Sequence, residues 1–203
     1  MLPGQLGICV FSPPLDPRGN SVRGVEACQR MAADLELHFL HATRPSRAAI
    51  RSRHDVASAP SKRIRPPADR DALLALGTRA VCYELQGDLL FGGIERVVRS
   101  IVERAGALDA VILDLGAVAH LSAASAAMLV DLRDALAAAN VAFALIDHPA
   151  EPPRLGAELA RLPAFADRDA ATEWAEELLL GERPRHGAVE PSGCQLFAGL
   201  SAE

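Results

Sequence analysis

Aromatic side chains are scarce in this chain of 203 residues, at 4%, although half of its residues are apolar. Its core must therefore be assembled from Ala, Leu, Val and Ile, with material for one sizeable core and some flanking pieces. A basic excess is also missing. The formal net charge is −5, which disfavours a dedicated nucleic-acid binder. Cys9, Cys28, Cys82 and Cys194 stand far apart, with no CxxC or Cys/His spacing suited to zinc. No metal site and no cofactor site is expected. The chain does not open on a basic segment with an apolar h-region, and no apolar run is long enough to span a bilayer. These absences predict a cytoplasmic protein with reduced thiols and no membrane span.

What is present is organised around residues 109–139. Val111-Ile112-Leu113-Asp114-Leu115 is an apolar run broken by one acid, short and rich in branched side chains, as suits a strand covered on both faces. Gly116 to Leu121 follows, and Ser122-Ala123-Ala124-Ser125 then reads as a tight turn. Met128, Leu129, Leu132 and Leu136 then recur at helical spacing.

Before this unit, Gly7-Ile8-Cys9-Val10-Phe11 reads as a short strand closed by a Pro-rich loop, Ser12 to Asn20. Ser21 caps a predicted helix whose face carries Val25, Cys28, Met31, Ala32 and Leu35. One strand and one helix cannot fold alone, so residues 1–43 are expected to dock on something or to be part of a larger domain. Residues 44–70 hold eight basic residues against Asp55 and Asp69, a local charge of +6 that leaves −11 elsewhere. Contact with an acidic surface, a lipid headgroup or RNA is one reading. With Pro45, Pro60, Pro66 and Pro67 and no aromatics to stack bases, the stretch 44–72 instead reads as a solvated linker.

From about Leu73 the pattern alternates. Val81 to Leu85 reads as a strand, Gln86-Gly87-Asp88 as a turn, and Ile94 to Ala105 as a helix with Ile94, Val97, Val98, Ile101 and Val102 on one face. Val141 to Ile146 is a further buried strand, and Leu155 to Leu162 and Asp169 to Leu180 are helices around Phe165. The expected fold class is α/β, a mixed sheet with helices packed on it, over residues 73–180. Residues 181–193 read as a second linker before a short segment, 194–203.

Two strings carry more specific resemblances. Leu2-Pro3-Gly4-Gln5-Leu6-Gly7-Ile8-Cys9-Val10-Phe11-Ser12-Pro13-Pro14-Leu15-Asp16, followed by Gly19-Asn20-Ser21-Val22-Arg23-Gly24, resembles the C-terminal end of bacterial glutaminases. Those enzymes have a serine-dependent β-lactamase-like fold and hydrolyse L-glutamine to L-glutamate and ammonia. The family's nucleophile lies in a Ser-x-x-Lys motif. This chain contains no such motif, so no catalytic residue is assigned and activity alone is not expected. Glu84-Leu85-Gln86-Gly87-Asp88-Leu89-Leu90-Phe91, then Val111 to Leu115, then the turn and helix to Ala139, resemble the STAS domain of sulfate transporters and anti-sigma factor antagonists. That resemblance implies a non-catalytic module that binds protein partners or self-associates. In some members a serine at the helix start is phosphorylated. The matching position here is Ala124, which has no hydroxyl. Cys194 to Glu203 resembles the opening helix of a cyclic-nucleotide-binding domain, without the cassette that would hold the nucleotide.

Ser122, Ser125 and Asp88 remain as candidate partner-surface or phosphorylation residues. A phosphate on either serine would sit at a helix N-terminus, whereas the simpler reading makes Ser122 an N-cap and Ser125 a first-turn polar residue. Asp88 fits turn chemistry, Asp114 the ordering of the chain after its strand, and His120 lacks companions at ligand spacing. The function expected is a glutaminase–STAS fragment whose complete part is a regulatory interaction module. A stand-alone anti-sigma-factor-antagonist-like protein and a residual subunit of a glutaminase assembly are the alternatives.

Overall fold

A computed structural model describes residues 7–35, 48–147 and 159–181. In the first of these segments, α1 (Val22–Asp34) forms as expected. Ser21 is its N-cap, its Oγ accepting from the Gly24 N–H at 3.1 Å. The Ser21 hydroxyl also donates to the Ser12 carbonyl at 2.6 Å, which fastens the preceding loop to the helix. Asp16 shapes that loop. Its Oδ1 accepts from the backbone N–H groups of Arg18 and Asn20, and these bonds, the Asn20 one foremost, hold its carboxyl below the usual carboxylate range. The strand expected at 7–11 does not form. No second strand among the described residues offers it a ladder, and an isolated bridge joins Leu15 to Ser21 instead. Ile8, Val10, Phe11, Leu15, Val22 and Val25 are all exposed.

The remaining described residues form one five-stranded sheet. Its strands are β1 (Ile50–Asp55), β2 (Ala80–Leu89), β3 (Ala110–Leu121), β4 (Ala142–Ile146) and β5 (Ala164–Phe165), in that order across the sheet. β1 runs antiparallel to β2, and the other pairs are parallel, so the sheet is mixed as expected. Alternation along β2 and β3 sends Val81, Tyr83, Leu85, Val111, Leu113 and Leu115 to one face. There they meet Ile94, Val97 and Ile101 of α3 (Phe91–Val102) and Leu129, Leu132 and Leu136 of α4 (Ala123–Ala138). Ala80, Cys82, Ala110 and Ile112 go to the other face, against Leu73 of α2 (Pro67–Leu76) and Ala171 and Ala175 of α5 (Arg168–Leu180). Small side chains dominate this second layer, so α5 needs no aromatic bulk beneath it. A tilted contact between Phe165 and Trp174, centroids 5.7 Å apart, seals its edge.

α4 ends in a Schellman turn. Val141 N–H donates to the Leu136 carbonyl at 2.8 Å and Asn140 N–H to Ala137 at 3.0 Å, with Asn140 at φ 58°. Val141 and Leu136 join the same core, which sets where β4 begins.

Four sequence expectations are corrected by the described residues. The stretch 44–72 is not a tether throughout: β1 pairs with β2 along its length, Ala49 and Val56 are buried, and α2 starts at Pro67. Two of its arginines, Arg63 and Arg65, are engaged by α5. Glu176 on α5 is 1% exposed and accepts from Ser61 N–H, Ser61 Oγ and Arg65 Nε, each at 2.7 Å, while Arg63 reaches Glu173 and Glu177. Residues 86–88 are not a turn, and β3 does not end at Leu115. β2 and β3 continue in parallel pairing to Leu89 and Leu121, past the reach of β1 and β4. Small residues and Gly87, at φ 75°, had masked that extension by breaking the alternation. The helix expected at 155–162 appears as a short 3-10 turn, Leu159–Arg161, with residues 155–158 outside the described residues. The stretches expected as a linker at 182–193 and as a nucleotide-sensor opening at 194–203 also lie outside them.

Candidate functional site

The start of α4 carries Ser122 and Ser125, two of the candidate partner-surface or phosphorylation residues. Ser122 is its N-cap, with Oγ accepting from the Ser125 N–H at 3.1 Å. The Ser122 hydroxyl donates to Ser125 Oγ at 2.9 Å, and Ser125 donates in turn to the Leu89 carbonyl at 2.6 Å. Both hydroxyl protons are thereby used, and both side chains are buried. The chain of bonds ties the helix start to the end of β2. It occupies both hydroxyls and leaves Ala123 and Ala124 as the outward residues of the turn. Asp88 is elsewhere, exposed on the β2 extension and opposite His120 of β3.

Ser125→Asp should therefore destabilise the fold rather than mimic a signal. Burying a carboxylate there and losing the donor to Leu89 is expected to cost at least about 2 kcal/mol, read as a fall in urea midpoint. An unchanged midpoint would show that this hydroxyl is not held. Peptide mass spectrometry of the protein from its own host is expected to find phosphate on neither serine, and phosphate on either would reverse the assignment.

A second arrangement was not foreseen. Glu84 on β2 and Asp114 on β3 are register partners on the face that α5 covers. Together with Arg51, Leu85, Gly116, Ala117 and Arg168 they line a cleft of about 320 Å³. Arg168, the first residue of α5, forms an ion pair with Glu84, and His54 Nε2 lies 3.5 Å from the same carboxylate oxygen. Asp114 Oδ1 accepts from the Gly116 N–H at 2.8 Å, in keeping with the ordering role expected for it. On the same face of β2, two residues before Glu84, burial foremost and then the Asp114 charge push the Cys82 thiol up to about 12, so it stays protonated and unreactive at neutral pH. The signal available in the sequence was the repeated pattern itself: each central strand carries an acid four residues after its first, Glu84 in β2 and Asp114 in β3. Arg51 and Arg168 carried no such signal, because only the fold brings them there. Among the described residues no group of three His, Cys, Asp or Glu side chains could hold a metal ion. No helix among them is long and apolar enough to cross a membrane.

The sheet, its two helical layers and the α4 start define an α/β domain of the STAS class, and residues 75–165 match the family model described as STAS domain. Residues 1–40 match the model described as Glutaminase. Glutaminase 1 of Bradyrhizobium diazoefficiens (strain JCM 10833 / BCRC 13528 / IAM 13628 / NBRC 14792 / USDA 110) is 31% identical over 100% of this chain and 34% of its own length. Glutaminase 2 of the same organism is 33% identical over 88% of this chain and 30% of its own. The anti-sigma factor antagonist SpoIIAA in its unphosphorylated form superposes with a TM-score of 0.40 at 13% identity, covering 48% of this chain and 88% of that one. This chain is thus a glutaminase-related protein in which a glutaminase C-terminal segment is followed by a STAS domain. It spans about a third of the length of the curated relatives it matches.

Proposed function

We propose that this chain is the STAS-bearing part of a glutaminase and that its STAS domain works as a protein-interaction module without a serine switch. The observation that carries this reading is the exposure of apolar side chains on the glutaminase-type segment. Phe11 is 89% exposed, and Ile8, Val10, Leu15, Val22 and Val25 are open beside it in sequence. Scattered apolar residues are ordinary on a surface, but a helix and loop that bury almost nothing are one side of an interface. The partner surface is the remainder of a glutaminase domain or a second copy of this chain. The absence of Ser-x-x-Lys supports a non-catalytic role for this chain taken by itself. The nucleotide-sensor resemblance at 194–203 would add a sensory unit to the same order of parts.

Sedimentation velocity and a coupled ammonia assay test the reading on the purified chain. The expected results are concentration-dependent self-association, a shift to monomer for Phe11→Ser with Val25→Ser, and no ammonia from L-glutamine. Glutamine turnover would overturn it, and a strictly monomeric chain would exclude a second copy as the partner.

A further inference from the structure

The cleft lined by Glu84, Asp114 and Arg51 has an architecture that the interaction role does not use. Pairing along β2 shifts register on both sides at the same level. β1 carries an extra residue at Arg51, between the pairs Ile50 with Leu85 and Ser52 with Glu84. β3 carries an extra residue between the pairs Glu84 with Asp114 and Gln86 with Ala117. Two bulges flanking Leu85 open the sheet there, and bulges commonly re-aim side chains toward sites.

The charges inside are arranged in opposition. Neighbouring strands lie about 4.8 Å apart, so Glu84 and Asp114 stand side by side. Arg168 pairs with Glu84 alone, and Asp114 keeps its Oδ2 clear of the Gly116 bond. On the opposite wall Arg51 lines the cleft without an ion-pair partner among the described residues. With Glu84 offset by Arg168, one carboxylate, Asp114, and one guanidinium, Arg51, remain uncommitted, and that balance suits neither a polyanion nor a simple cation. It suits a molecule that carries both charges. Ala117 supplies an apolar contact, and about 320 Å³ lies at the small end of ligand sites.

We propose that this cleft binds the zwitterion of a free α-amino acid, with its ammonium on Asp114 beside Glu84 and its carboxylate on Arg51. The inference stands on the cleft and does not depend on the interaction reading. A monomeric chain could still bind the ligand, and an associating chain could fail to.

Isothermal titration of the full chain with a panel of L-amino acids, including glutamine and glutamate, tests it. Ethylamine, acetate and inorganic phosphate serve as single-charge probes. At least one amino acid should bind with a dissociation constant below about 10 mM, and the single-charge probes at least about tenfold more weakly. Arg51→Ala, at an exposed edge position, and Asp114→Asn, which keeps an oxygen for Gly116, should each weaken binding about tenfold or more. The circular dichroism melting curve of Arg51→Ala should be unchanged, and this variant decides the matter if Asp114→Asn folds poorly. Absence of amino-acid binding, phosphate binding in its place, or full affinity in Arg51→Ala would overturn the proposal.

Discussion

Glu176→Ala is expected to lower the stability of the folded chain by about 3–5 kcal/mol, the range for removing one partner of a buried ion pair. The carboxylate is almost inaccessible, and Arg65, whose side chain is 8% exposed, has no comparable acceptor once it is gone. The Ser61 N–H and hydroxyl lose their acceptor as well. Arg65 Nη2 is already buried without a partner, so its desolvation is offset only through Nε. Glu176→Gln keeps one acceptor oxygen and should fall between wild type and alanine. Exchanging both partners, as Glu176→Leu with Arg65→Met, should recover most of the loss, because apolar replacement of a whole buried pair is often neutral. The exposed bonds of Arg63 to Glu173 and Glu177 contribute far less, because solvent screens them. Urea unfolding followed by circular dichroism gives the comparison. A loss under about 1 kcal/mol for alanine would mean that residues 59–66 do not belong to the folded unit.

Removing the chain before residue 73 should have a still larger effect. A protein of residues 73–181 loses β1, α2 as far as Ala72, and the Ser61–Arg65 strap. The outer ladder groups of β2 would then face solvent from a strand whose Val81, Cys82, Tyr83 and Leu85 are buried. Gly77 would also lose its contact partner. A Cβ there would stand 2.4 Å from the Ala57 nitrogen, a measure of how closely the segment after β1 lies on it. Residues 48–181 should unfold in a single cooperative transition, whereas residues 73–181 should aggregate or melt without one. Cooperative unfolding of the shorter protein, at a similar midpoint, would restore the boundary that the composition suggested.

That boundary shows what composition alone misreads. Arg, Ser and Pro between residues 44 and 70 look like a tether because their partners lie more than a hundred positions later, on α5. Local patterning carries no trace of a bond at that separation. β1 itself, Ile-Arg-Ser-Arg-His-Asp, lacks an apolar alternation because it is an edge strand with one side toward solvent. The helices were more legible. The faces of α3 and α4 and the cap at Ser21 follow from spacing within a few turns, and each forms at or within a few residues of its expected place.

The stretch 109–139 divides along the same line. Its amino acids fixed a buried strand, a serine cap and a helix, since strand burial and helix spacing are written in neighbouring residues. Tertiary structure decided the rest. It extended β3 to Leu121 because β2 supplied the ladder, and it turned the Ser125 hydroxyl onto Leu89, a residue that no local pattern links to it. It also set Asp114 beside Glu84 and Arg51, a grouping created by the register of three strands and the two bulges between them. Periodicity can announce an element, but a site made from several elements exists only once they are paired.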